Sequence, residues 1–239
     1  MAAARETCWP GFGLATRAGQ SDGVALLTML VVLIATAAFV AALVLTSVVE
    51  TRIAASWRDG AAAMSAADAV ARRALLDLAT ADWDAALGGA VSTFTDGPPS
   101  GVRVLEGAMQ LSLDAETSEL ACGNPTGCSD AEVSRASAER PWGANNPRWR
   151  LFGYGPLAAL FPDDPYPLRG YVASWVADDP TETDGSPSHD GATADNPGRG
   201  VLLVTGRAYG PGVARRTVQL VVERVGTELR IIAWRELRP

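Results

Sequence analysis

Acidic side chains crowd one stretch of the sequence, residues 163–195, which holds eight acids and one arginine. Carboxylates in a glycine-containing loop can wrap calcium, and the candidate ligands here are Asp178, Asp179, Glu182 and Asp184. Their spacing departs from the twelve-residue EF-hand pattern, and the surrounding proline, serine, threonine and glycine residues are typical of a solvated loop. We therefore expect an acidic loop that needs no cofactor, with a calcium site as the alternative.

Residues suited to catalysis or nucleic-acid binding are scarce. The one histidine, His189, lies in the same loop, and no Gly-x-Ser-x-Gly nucleophile motif accompanies it. Two cysteines and one histidine do not supply the four ligands usual for zinc, and no glycine-rich phosphate loop follows a predicted strand. All 20 basic residues are arginine in a chain of net charge −7, whereas nucleic-acid binding rests on clustered cations. We predict a protein that is not an enzyme and has no nucleic-acid partner.

Cys122 and Cys128 lie six residues apart in the segment ACGNPTGCSD. Its glycine, asparagine and proline residues predict a turn that brings the two cysteines close enough to bridge. Because disulfides persist outside the cytoplasm, this pair favours an exported C-terminal part. The alternative is two free thiols in a loop.

One segment near the N-terminus is apolar on every side. From Gly23 to Val49 there are 27 residues without an ionisable side chain, which as a helix would span about 40 Å. That exceeds the roughly 30 Å hydrocarbon core of a bilayer, so we predict a membrane-spanning helix over residues 24–49. Two arginines precede the segment and two, Arg52 and Arg58, follow it closely, so charge alone does not decide its orientation.

Helical periodicity continues beyond the apolar segment. Apolar residues recur at spacings of three, four or seven, which is typical of an amphipathic helix; they are Ile53, Trp57, Met64, Ala67, Ala71, Leu75 and Leu78. We expect one helix from about Val24 to about Leu87, with residues 50–87 as its amphipathic half. The alternative is an anchor followed by an independent helix, with a break near Gly60.

The remaining residues, 88–239, change to a period of two. Short predicted strands lie at 102–105, 109–113, 148–154, 170–176, 201–205, 217–223 and 229–234. The Gly210–Gly212 turn could join two of them as antiparallel neighbours, and residues 225–228 offer another tight turn. The predicted fold class is α+β, a long N-terminal helix packed on a C-terminal antiparallel β-sheet that forms an extracytoplasmic head domain.

Three stretches resemble the PilX-type minor pilins among type IV pilin-like proteins: GVALLTMLVVLIA, LTSVVETRIAASWRDGAAAMSAADAVARRAL, and GVLLVTGRAYGPGVARRTVQLVVER followed by LRIIAWRE. The resemblance implies a leader over residues 1–23, cut by prepilin peptidase between Gly23 and Val24, and an N-methylated Val24. It also implies insertion in the inner membrane with the N-terminus cytoplasmic. An assembly platform would then extract the subunit from lipid into an extracellular filament with other pilin subunits.

Two departures from the pilin pattern bear on this reading. The fifth mature position is Thr28, where most major pilins have glutamate, and a threonine fits a subunit with no partner above it. Asp22 precedes Gly23 where a basic residue is usual. The alternatives are a K-type pseudopilin of a type II secretion system, and a single-pass membrane protein with an extracytoplasmic calcium- or ligand-binding domain.

Overall fold

The computed structural model describes residues 22–165, 168–182, 185–191, 199–210 and 214–237. Three expectations fall outside these residues: the leader ahead of Asp22, the candidate ligand Asp184, and the Pro211–Gly212 part of the expected turn. The chain divides into two units, residues 1–53 and 54–239. Each unit is described by itself below.

The first unit contains the apolar part of helix α1, which begins at Asp22 and ends at Leu78. Every residue from Gly23 to Ile53 is exposed, and the helix is long and apolar enough to cross a membrane. The Thr36 hydroxyl donates to the Leu33 carbonyl at 3.0 Å and the Thr46 hydroxyl to the Ala42 carbonyl at 2.9 Å. These threonines therefore satisfy their hydroxyl groups within an otherwise apolar helix.

Helix α1 is continuous through Gly60, so the alternative of a break there is wrong, but the helix ends at Leu78, nine residues before the expected end near Leu87. A second, short helix α2, Trp83–Leu87, follows it. The Asp82 side chain caps α2 by accepting from the Asp84 N–H, and the buried Trp83 indole donates to the Leu78 carbonyl at 3.1 Å. Asp82 thus starts a new helix while Trp83 satisfies the last turn of α1.

The second unit is built on a five-stranded antiparallel sheet with the order β3-β4-β5-β6-β7. Its strands are β3 (Arg150–Pro156), β4 (Tyr171–Asp178), β5 (Val201–Tyr209), β6 (Arg215–Val225) and β7 (Glu228–Leu237). A separate antiparallel pair is formed by β1 (Val102–Val104) and β2 (Gln110–Ser112). Each predicted strand is present, and the sheet confirms the α+β layout of a long helix with a C-terminal antiparallel sheet.

Short helices fill the connections. Helix α3 (Leu113–Cys122) begins where the expected strand over residues 109–113 ends, and α4 is Asp130–Val133. Single 3₁₀ turns occur at Glu106–Ala108, Gly143–Asn145 and Leu157–Leu160. Helix α3 is capped by the Ser112 side chain, which accepts from the Ala115 N–H, and by Gly123 in the left-handed conformation at its C-terminus.

The α1 face of the sheet is packed against small side chains of the helix. Ala67, Val70 and Ala71 are fully buried, and their cluster includes the inward-facing residues Val204, Ala208, Val218 and Leu220 of β5 and β6. At Gly206 a Cβ would stand 2.2 Å from the Ala67 carbonyl oxygen and 2.9 Å from the Ala71 Cβ. The helix therefore approaches β5 so closely that only glycine fits there.

Two members of the predicted amphipathic stripe are exposed. Ile53 is 58% exposed and Trp57 is 77% exposed, whereas Ala63 and Leu78 are buried. Ala63 lies ten residues, or about three turns, after Ile53, so the buried face of α1 begins later than its periodicity predicts.

Candidate functional site

Gly23 and Val24 lie at the start of α1, directly after Asp22. Both residues are exposed, and a Cβ added at Gly23 would meet nothing within 4 Å. This exposure is compatible with the predicted cleavage between Gly23 and Val24, which stays a prediction.

Thr28 lies one turn further along the same helix. Its hydroxyl donates to the Ala25 carbonyl at 2.9 Å, which satisfies the side chain without a second molecule. A carboxylate at this position would instead need a cationic partner when surrounded by apolar groups. With threonine at position 28, the start of the helix therefore needs no cationic partner.

Cys122 and Cys128 come together as the turn composition predicts. Cys122 is the last residue of α3, and the two sulfur atoms lie at disulfide-bonding distance with their Cα atoms 6.1 Å apart. The pair ties the C-terminal end of α3 to the segment that leads into α4. Its geometry favours the bridged state over two free thiols.

Three carboxylates meet at the end of β4, and they differ in part from the expected set. Asp178, Glu182 and Asp190 have ligand oxygens that all lie within 4.8 Å of one another, and Asp178 and Glu182 are buried. Asp179 instead accepts hydrogen bonds from the N–H and hydroxyl of Thr181 in a local turn. The structure thus joins two of the expected calcium candidates to Asp190.

Asp190 is held in place by two hydrogen bonds, one through its side chain and one through its own N–H. The Gly200 N–H donates to its carboxylate at 2.6 Å, and its own N–H donates to the Asp84 carboxylate of α2 at 2.9 Å. Burial raises the pKa of Asp190, and the Gly200 hydrogen bond opposes that rise. His189 lies outside the cluster and is exposed, with its Nδ1 3.8 Å from the Asp84 carboxylate. The cluster could hold a cation by charge alone.

A partly buried ion-pair network joins α3 to the other face of the sheet. Arg207 of β5 contacts the Glu116 carboxylate at 2.5 Å, and the Tyr209 hydroxyl donates to the same carboxylate at 2.6 Å. Arg215 of β6 binds both Glu119 oxygens, at 2.9 and 3.1 Å. Burial raises the pKa of Tyr209 well above its ordinary value. These ion pairs fix the position of α3 on the sheet.

The same face of the sheet carries a cleft of about 780 Å³, here named the tryptophan cleft. Its floor is formed by side chains of β5, β6 and β7, and its walls by α3, by the segment 138–149 and by Pro180; the lining residues are Leu120, Ala138, Glu139, Arg140, Pro141, Trp142, Pro147, Trp149, Pro180, Leu203, Gln219, Val221, Ala233, Arg235 and Leu237. Trp142 is 46% exposed, whereas Trp149 is almost entirely buried. Clefts of this size can take a ligand or a peptide segment.

Sequence reasoning missed α3, the ion-pair network and Asp190 as a member of the acidic cluster. A signal for α3 is present in hindsight: Ser112 precedes acidic residues in a first turn, and a glycine follows the helix. The ion pairs join positions that are distant in sequence, such as Glu116 and Arg207, for which a single sequence carries no signal. The three carboxylates of the cluster lie in one acidic stretch, but their spacing does not show which of its acids come together.

Comparisons with known proteins add no relative. A scan of the sequence against protein-family models matches none, and searches among curated proteins and solved structures find no similar protein. The pilin resemblance therefore rests on the residues of the sequence alone.

Proposed function

We propose that this protein is a PilX-type minor pilin, a subunit of a type IV pilus-like filament with a structural, assembly-initiating or adhesive role. Helix α1 carries the proposal. It begins beside Gly23, stays uncharged and exposed as far as Val49, and buries an alanine face against an antiparallel sheet from Ala63 onward. The pilin resemblance of the first two sequence stretches implies this same order of features along one helix.

The physical argument starts from the exposed apolar half of α1. Such a surface is stable in lipid, where tails are as apolar as its side chains, and among other apolar helices in a filament core. The same segment can therefore serve first as an inner-membrane anchor and then as a filament packing surface. No polar face is needed in either environment.

The head domain fits display outside the cytoplasm. The Cys122–Cys128 pair lies at disulfide distance, and such bonds persist in oxidising compartments. In this proposal, prepilin peptidase cuts after Gly23, the inner-membrane assembly platform extracts the subunit, and neighbouring pilin subunits pack against α1. The Thr28 hydroxyl bonds within its own helix. This supports a position in the filament at which Thr28 needs no charged partner.

Two alternatives differ in specific features. A K-type pseudopilin carries a large additional helical domain, and beyond α2 the described part of this chain has only α3, with ten residues, and α4, with four, as α-helices. A single-pass membrane protein with a calcium-binding extracytoplasmic domain is favoured by the cluster of Asp178, Glu182 and Asp190. A calcium titration of the full chain that raises Tm would support the second alternative.

Co-expression of the full chain with a prepilin peptidase tests the proposal. Cleavage after Gly23 should shorten the 24.9 kDa chain by about 2 kDa, as seen on a gel. Gly23→Ala should abolish the shift, and it meets no steric obstacle because nothing lies within 4 Å of the added Cβ.

Gly19→Ala is the matched control, since it changes another glycine ahead of the apolar segment and should leave the shift intact. An unchanged size of the unmodified chain in the presence of active peptidase would contradict the proposal.

A further inference from the structure

The two edge strands of the five-stranded sheet, β3 and β7, differ in whether other backbone groups pair with them. Beside β3, the Ser92 N–H donates to the Phe152 carbonyl at 2.7 Å, and the Tyr154 N–H donates to the Phe94 carbonyl at 2.8 Å. The outer side of β7 pairs with no strand in the part of the chain that the structure describes. One edge is thus covered, and the other presents unpaired backbone groups along ten residues.

The open edge borders the tryptophan cleft. Ala233, Arg235 and Leu237 are alternate residues of β7, and all three line the cleft. Because side chains alternate between the faces of a sheet, a further strand added to β7 would place every second side chain over this same face. The edge and the cleft therefore form one continuous surface for an extended chain.

The lining of the tryptophan cleft has two arginines, Arg140 and Arg235, and one acidic residue. Arg140 donates to the Ala121 carbonyl, and Arg235 donates to the Gln219 side-chain oxygen, so both guanidinium groups have neutral acceptors. No ion pair joins either arginine to a carboxylate among the residues that the structure describes. The one acid of the lining, Glu139, accepts from the Ser137 hydroxyl. A guanidinium fork is well suited to a carboxylate.

The rest of the cleft suits apolar side chains. Trp142 is half exposed on the wall, and Leu203, Val221 and Ala233 form part of the floor.

Two other occupants are disfavoured. A mainly apolar floor offers the hydroxyl groups of a sugar few partners, and the cationic clefts of two copies would repel each other if β7 paired with a second copy. Charged residues along β7 and the irregular register of β6 with β7 near Ile232 further oppose indiscriminate strand pairing.

We propose that β7 and the tryptophan cleft bind an extended acidic peptide segment of a partner protein. The segment adds to β7 as a sixth strand, and its backbone groups pair with the open edge. Its carboxylates contact Arg140 and Arg235, and an apolar side chain between them lies against Trp142. Backbone pairing supplies affinity, and the two arginines supply the preference for acidic sequences.

The test uses the full chain in detergent micelles and a labelled probe peptide with blocked ends. The peptide has threonine at every second position and glutamate, leucine and glutamate between them. Fluorescence anisotropy should give saturable binding to the unmodified protein. A peptide with lysine in place of glutamate, and one with N-methylated backbone groups, should each bind at least about tenfold more weakly.

Arg235→Gln should weaken binding of the acidic peptide about tenfold. Arg230→Gln is the matched control, because Arg230 is also on β7 but does not line the cleft, and it should leave binding within about twofold. Hydrogen exchange of β7 amides should slow when the peptide binds, because strand addition pairs them.

Four results would overturn the proposal: equal binding of the lysine peptide, equal binding of the N-methylated peptide, tighter binding of an oligouronate that competes with the peptide, or self-association through β7 that excludes it.

Discussion

The two faces of the five-stranded sheet are closed by different chemistry. Under α1, the buried cluster consists of apolar side chains, many of them alanine, and Gly206 allows the helix backbone to approach. Under α3, an arginine that is only 6% exposed pairs with Glu116, while the Trp175 indole donates to the Thr117 hydroxyl at 2.8 Å. Both faces bury an apolar cluster, and the α3 face adds these polar pairs to its own.

The two faces should therefore differ in which substitutions they tolerate. A close apolar contact responds to added volume, because a packed interior has no space to yield. A buried ion pair responds to loss of one partner, because the remaining charge stays without compensation. We therefore expect opposite kinds of substitution to damage the two faces.

The largest effect should come from breaking the ion pair. Arg207→Met leaves the partly buried Glu116 without its closest cation, although Arg215 stays 3.7 Å away, and should lower the free energy of unfolding by about 3 kcal/mol. The double variant Arg207→Met, Glu116→Met should recover part of that loss, since it removes both charges but leaves the Tyr209 hydroxyl without its acceptor. Chemical denaturation of the full chain in detergent, followed by tryptophan fluorescence, measures both. A double variant as unstable as the single one would show that the pair is not the source.

The next effect tests the close approach of α1. Gly206→Ala places a Cβ 2.2 Å from the Ala67 carbonyl oxygen, so it should destabilise the protein by about 3 kcal/mol. Gly210→Ala is the matched control: its Cβ would stand 3.4 Å from the Ala214 Cβ, an ordinary contact, and the loss should stay below about 1 kcal/mol. Equal losses for the two variants in the same denaturation assay would contradict this contrast.

A smaller effect should follow removal of the cysteine bridge at the α3 face. Replacing Cys122 and Cys128 together by serine opens a short loop and should cost about 2 kcal/mol. The same double variant should be insensitive to reducing agent, whereas the unmodified chain should lose a similar amount of stability when reduced. An unmodified chain whose unfolding is unaffected by reduction would argue that the bridge does not stabilise the docked helix.

The smallest effect concerns pH at the end of β4, outside both faces. Burial raises the pKa of Asp190 in the folded protein, so its ionised form destabilises the fold at neutral pH, and this penalty disappears as the pH falls below the unfolded value near 4. Asp190→Asn should therefore stabilise the protein at pH 7 by less than about 1 kcal/mol, with the difference shrinking at low pH. A stabilisation that grows as the pH falls would have the wrong sign.

The two faces also differ in what the sequence can reveal. The stripe of Ala67, Ala71 and Leu78 repeats at helical spacing, and the strands alternate at a period of two, so the helix, the sheet and their apolar contact are predictable from local pattern. The docking of α3 depends on Glu116 meeting Arg207, 91 positions away, and local periodicity carries no information on such a distant pair. Asp178, Glu182 and Asp190 are closer in sequence, but their irregular spacing in a loop follows no helical or strand period.

Whether this protein is a pilin subunit can be decided by the mass of its mature N-terminal peptide. After co-expression with prepilin peptidase, the full chain is purified and its N-terminal peptide is measured by mass spectrometry. We predict a peptide that begins at Val24 and carries one methyl group on its amine. A peptide that begins at any other residue, or a chain that retains residues 1–23 while a known prepilin is cut in the same cells, would contradict the proposal that this is a pilin subunit.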